Sequence, residues 1–132
     1  MSLVKVFNEH LYDFYNELIL LYPKNNELKT GRTIVETLKK FNPKKLIETW
    51  NMLVVIPYEK EILSEDLNFF LNHNFSEELE WGKWGKTSNE KWMNEIKNLV
   101  KNMEEENLKK SIKYFKNLTK ICNLYYGKNK LT

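Results

Sequence analysis

Apolar residues recur at helical spacing along most of this chain. Leu3, Phe7, Leu11, Phe14, Leu18 and Leu21 follow one another at steps of 4, 4, 3, 4 and 3, with Lys5, Glu9, Asp13 and Glu17 between them. Side chains at these steps share one face of a helix, so the segment predicts an amphipathic helix. It should end near Tyr22, because Pro23 disfavours α geometry in the residue before it and has no amide to continue the ladder. Asn25 can cap a second helix through Leu28, Ile34, Val35 and Leu38, weakened near its middle by Gly31.

Asn42 followed by Pro43 reads as a helix cap with proline at the first helical position, where a fixed φ helps and a missing amide costs little. Leu46, Ile47, Trp50, Leu53 and Val54 then form a buried stripe. Val54-Val55-Ile56 also reads as a short strand, but no second strand is available to pair with it. Pro57 should kink or restart the helix, which continues through Tyr58, Ile62 and Leu63. Ser64 can cap a short turn leading into Phe69, Phe70 and Leu71, and Ser76 can cap another. Trp81-Gly82-Lys83-Trp84-Gly85-Lys86 repeats one tripeptide, and its two glycines predict a loop.

Thr87 with Glu90 forms a capping box for a helix that turns Trp92, Met93, Ile96, Leu99 and Val100 inward. A break follows near Asn102, which with Glu105 makes a weaker box. The last helix places Leu108, Ile112, Phe115, Leu118, Cys122 and Tyr125 at steps of 4, 3, 3, 4 and 3 and stops near Gly127. The fold expected is all-α, an irregular bundle of about six helices with a long C-terminal helix, in one domain over residues 1–132. The first and last helices, the longest and most regular, should touch.

Composition narrows the function classes. A lone cysteine, Cys122, excludes an internal disulfide framework, and the simplest setting is an intracellular, reducing one. The residues from Met1 to Phe7 lack a basic start, an apolar core and a small-residue cleavage site, so secretion is not expected. Charges interrupt each apolar run before it reaches about 18 residues, so no membrane insertion is expected. The chain holds 20 Lys, 17 Asn, one Arg and no Ala or Gln. Lys, Asn, Ile, Tyr and Phe belong to A/T-rich codons, so the net charge of +3 says less about an acidic partner than it would elsewhere. That charge is uneven, with a net of −6 over residues 61–82 and +4 over residues 104–132.

No phosphate loop, nucleophile elbow, zinc-protease helix, paired-cysteine motif or dinucleotide fingerprint occurs. The expectation is a protein that is not an enzyme, with no cofactor. His10, Asp13 and Glu17 share a helical face and could offer one nitrogen and two oxygens to a metal. In so charged a chain the plainer reading is a solvated face, and no metal site is assigned. Cys122 lies on the apolar stripe and reads as core. Lys109, Lys113, Lys116 and Lys120, at steps of 4, 3 and 4, make a basic stripe that is either solvated or able to track phosphates. Trp81 and Trp84 either fold back over the core or anchor a partner, since tryptophan is enriched at binding hot spots.

Residues 7–23, Asn42-Pro43-Lys44-Lys45-Leu46-Ile47-Glu48-Thr49-Trp50, Ile56-Pro57-Tyr58-Glu59-Lys60-Glu61-Ile62, Phe69-Phe70-Leu71-Asn72-His73-Asn74-Phe75-Ser76 and Lys110-Ser111-Ile112-Lys113-Tyr114-Phe115-Lys116-Asn117-Leu118 form a set. Together they resemble small uncharacterised helical proteins encoded by large double-stranded DNA viruses of algae and protists. The resemblance covers most of the chain except the Trp-Gly-Lys repeat. It implies a viral setting, in host cytoplasm or virion, and carries over no site.

The function expected is therefore contact with a viral or host protein partner, as virion component, assembly factor or adaptor, with Trp81 and Trp84 as candidate contacts. The alternative is nucleic-acid binding through Lys109, Lys113, Lys116 and Lys120.

Overall fold

The structure is a computed structural model that describes residues 2–73 and 91–128. Among these residues it is all helix. α1 spans Leu3–Leu21 and α2 Asn26–Phe41. Ser2 caps α1 by accepting the Lys5 amide at 3.2 Å, and Asn25 caps α2 by accepting the Leu28 amide at 3.2 Å. The chain leaves α1 at Tyr22, directly before Pro23, as the proline dictates.

α3 (Lys44–Trp50), a π-helical turn (Asn51–Val55) and α4 (Ile56–Leu63) form one unbroken helical path. Val54 and Val55 are therefore helical and buried, and the strand alternative fails. Pro57 falls in the first turn of α4, as a restart requires, but without a break in the path. The π turn pairs the Ile56 amide with the Asn51 carbonyl, so hydrogen bonding has already shifted from the fourth to the fifth preceding residue when the proline enters the first turn of α4.

Two expected caps are displaced. Ser64 closes α4 rather than opening α5 (Leu67–Asn72), and its hydroxyl donates to the Glu61 carbonyl at 3.3 Å. Asp66 caps α5, accepting the Phe69 amide at 3.1 Å. The shift follows from a Schellman turn: the Glu65 amide bonds to Ile62 and the Asp66 amide to Glu61, so Asp66 becomes the first extended residue. The Asn102 and Glu105 box does not form either. Asn102 donates to Asn98, and Glu104 stands at the N-cap of the last helix, its carboxylate accepting from Tyr22 and Asn107 at 2.7 and 2.9 Å. The Ser76 cap and the Thr87 and Glu90 box lie outside the described residues.

α6 (Lys91–Val100) and α7 (Glu105–Tyr125) complete the bundle. With the path from α3 to α4 taken as one, six helices are described, and the C-terminal helix is the longest single α-helix. α7 packs against α1 as expected and also against α4, while α2 fills the space between α1 and α6. Trp50 lies at the centre, fully buried, with its ring 6.1 Å from Phe7 and 5.6 Å from Phe115. Its indole N–H donates to the Thr119 hydroxyl at 3.2 Å, so neither polar group is stranded. Truncating a core tryptophan of this kind costs about 3–5 kcal/mol. No described helix is long and apolar enough to cross a membrane.

Candidate functional site

α7 buries Leu108, Ile112, Phe115, Leu118 and Cys122, and this orientation turns Lys109, Lys113 and Lys120 outward into solvent. Lys116, on the same stripe, is half-buried and forms an ion pair with Glu65 at 3.0 Å. The stripe is thus three exposed ammoniums and one that is already neutralised.

One flank of α7 closes against α1 to form a groove of about 370 Å³. Its floor is apolar: Phe14 and Leu18 of α1 lie almost fully buried beneath it, and Leu21, 40% exposed, opens onto it. Tyr114 of α7 lies over this floor, 4.9 Å from the Phe14 ring and 5.1 Å from the His10 ring. Phe14 in turn meets Phe115 at 5.6 Å, and Phe115 meets Trp50. A run of rings therefore ties the floor to the centre of the core and fixes its shape. The rims are polar and of opposite charge, with Glu17 on α1 and Lys110 and Lys113 on α7, and Asn117 completing the edge.

Electrostatics in the groove follow from partial burial. Desolvation lowers the pKa of His10 against the opposing pull of Asp13, so the imidazole favours its neutral form. Its Nε2 is buried and makes no hydrogen bond among the described residues. Burial, then Glu17 and Asp13, raise the Tyr114 pKa. His10, Asp13 and Glu17 do not form a metal set, and no other trio of His, Cys, Asp or Glu among the described residues does so.

Cys122 is fully buried and directs its thiol at the Ile47 carbonyl, 3.8 Å away. Burial pushes its pKa up to about 12, the setting of a packing residue rather than of a reactive thiolate. Trp81 and Trp84 lie outside the described residues.

Lys113, a sequence candidate, is the one residue that the stripe and the groove share. Sequence reasoning placed Phe14 on the apolar stripe of α1 but missed the groove's other working parts, Tyr114 and Asn117. Their spacing marks only the edge of a helix, because the groove comes from the register at which α1 and α7 cross. No family model matches the chain, no curated protein sequence matches it, and no solved structure matches it.

Proposed function

We propose that the protein acts by contact with a protein partner rather than by turnover, and that the groove between α1 and α7 is the contact surface. The observation that carries this reading is the groove's construction: accessible apolar surface from Leu21 and Tyr114 over buried Phe14 and Leu18, bordered by Glu17 on one side and by Lys110 and Lys113 on the other. Apolar ground inside a charged rim is how transient protein contacts are built, the floor supplying affinity and the rim orientation. An amphipathic helix fits such a groove, its apolar anchors on the floor and its charges paired with the rims. Two buried groups with raised pKa values have structural settings. Tyr15 and Cys122 both sit in the core, held by hydrogen bonds to main-chain carbonyls. In the viral setting that the sequence resemblance implies, the partner is a virion or host protein.

The test is affinity capture with the wild type, Tyr114→Ala, and the double variant Lys110→Glu, Lys113→Glu. A partner held by the wild type and released by both variants, with melting temperatures unchanged, supports the groove. Equal capture by all three argues against it.

A second reading is nucleic-acid contact through the α7 stripe, favoured by the exposure of Lys109, Lys113 and Lys120 on one face. It predicts affinity that falls steeply with salt and drops when Lys109 and Lys113 are changed to Gln. Binding that ignores salt, or no binding at all, removes it.

A further inference from the structure

At the opposite end of α1 the chain makes a second surface that shares no residue with the α1/α7 groove. The turn from α2 to α3 reads Lys39-Lys40-Phe41-Asn42-Pro43-Lys44-Lys45, and no acidic residue occurs between Glu36 and Glu48. Phe41, within this run, is 82% exposed, the most exposed large apolar side chain among the described residues. Lys39 and Pro43, two residues to either side of Phe41 in the chain, line an open groove of about 580 Å³ together with Ser2, Lys5, Asn8 and Lys44, and with Val4 and Glu9. Three ammonium-bearing side chains from three helical segments thus face one concavity that carries a single carboxylate.

The turn has a structural reason to hold this shape. Asn8, almost fully buried on α1, donates to the Pro43 carbonyl at 3.1 Å and ties the turn to the first helix. Lys39 has its Nζ 5.1 Å from the centre of the Tyr12 ring, a cation–π contact that sets its stem along α1. The backbone is therefore fixed while the Phe41 ring stands free.

We infer that this turn binds single-stranded nucleic acid, with a base stacking on Phe41 and the phosphate backbone running along the groove past Lys5, Lys39 and Lys44. Single strands are held by this pairing of a positive groove with a free aromatic face. A duplex hides its base faces and cannot use Phe41. A flat anionic membrane could take up the phenyl ring but has no use for the concavity. Glu9 borders the groove as well, and its repulsion of phosphate is outweighed by the three lysines.

Fluorescence anisotropy of a labelled oligothymidylate, with the full chain, tests the inference. Phe41→Ala and Phe41→Leu are both predicted to weaken binding by about tenfold, since leucine keeps the apolar surface but removes the stacking face. Lys5→Gln together with Lys44→Gln should reduce the slope of log affinity against log salt by about 1.4, two single-strand phosphate contacts. All three positions are exposed, so melting curves should match the wild type. Full binding by Phe41→Leu overturns the stacking role. Binding lost only with Lys109→Gln, Lys113→Gln moves the site to the α7 stripe and overturns the inference, as does preference for duplex over single strand. Binding of phosphatidylserine vesicles without binding of the oligonucleotide overturns it in favour of a lipid surface. Failure here leaves the α1/α7 groove untouched, because the two surfaces have no residue in common.

Discussion

Gly31 lies directly beneath the ring of Tyr15: a Cβ built on this glycine would sit 2.9 Å from both Cε1 and the hydroxyl of Tyr15 and 2.8 Å from Glu95 Oε2. Tyr15 cannot retreat, because it is fully buried and its hydroxyl donates to the Trp92 carbonyl at 2.6 Å, joining α1 to α6. Helix propensity alone predicts that Gly31→Ala stabilises α2 by about 1 kcal/mol. The contact reverses the sign. Gly31→Ala should destabilise by about 1–3 kcal/mol in urea denaturation, the usual cost of overpacking. A stabilised variant would mean that Tyr15 and α6 can shift away.

Two Schellman turns in this protein differ at their left-handed residue. Gly127 ends α7 with φ 71°, whereas Glu65 ends α4 with φ 52°. A side chain in this region costs about 1–2 kcal/mol, and the exposed Glu65–Lys116 ion pair returns about 0–1 kcal/mol. Glu65→Gly is therefore predicted to raise stability slightly, by about 0.5 kcal/mol, and Gly127→Ala to lower it by about 1 kcal/mol. Paired thermal melts check both signs, and a clear loss in Glu65→Gly would show that the ion pair outweighs the backbone strain.

The Cys122 thiol, with its pKa raised by burial from 9.0 to about 12, binds its proton more tightly in the fold than in the unfolded chain. Its contribution is fully present below about pH 9 and is lost as pH rises from there toward about 12. Buried Tyr15, raised well above 10.0 by desolvation and then by Glu95, acts in the same direction. Stability should thus begin to fall above about pH 9, and Cys122→Ala should flatten the first part of that fall. The native thiol should resist a thiol reagent at about pH 8 and react once urea unfolds the chain. Rapid native labelling would contradict its placement in the core.

His10 gives the opposite dependence. Burial lowers its folded pKa from 6.5, with Asp13 opposing, so the stability held by the neutral ring is present above about 6.5 and is lost as pH falls. Asp13, Glu17, Lys110, Lys113 and Tyr114 are the other ionisable groups around it. Between about pH 7 and pH 5 the wild type should lose more stability than His10→Gln. Equal pH profiles for the two proteins would show that the imidazole is solvated at no cost.

The helices were legible wherever the signal is local. The spacing of Phe7 through Leu18 and of Leu108 through Cys122 specifies each long helix and its buried face, although Leu21, expected on that face, is exposed at the end of α1; Asn25 caps α2 and Gly127 ends α7 as expected. Ser64 against Asp66 was not legible, since either residue can cap, and the choice rests on a left-handed Glu65 that side-chain preference disfavours. The π turn was hidden for a similar reason: Val54, Val55 and Pro57 read as a strand or a break until the core around Trp50 is in place. The exposed faces of Lys109, Lys113 and Lys120 could be read from period alone. The Glu65 partner of Lys116, the aromatic floor under Tyr114 and the groove that joins Lys5, Lys39 and Lys44 could not, because each joins helices that are distant in the chain.

The groove between α1 and α7 is tested most directly by photo-crosslinking in the cells that naturally produce the protein, with a benzophenone amino acid replacing Asn117 in the groove or Thr37 on the exposed side of α2. A discrete protein adduct from position 117, absent from position 37 and lost when Tyr114→Ala is added, is the predicted result. No adduct from position 117, or the same adducts from both positions, would contradict the groove as the contact surface.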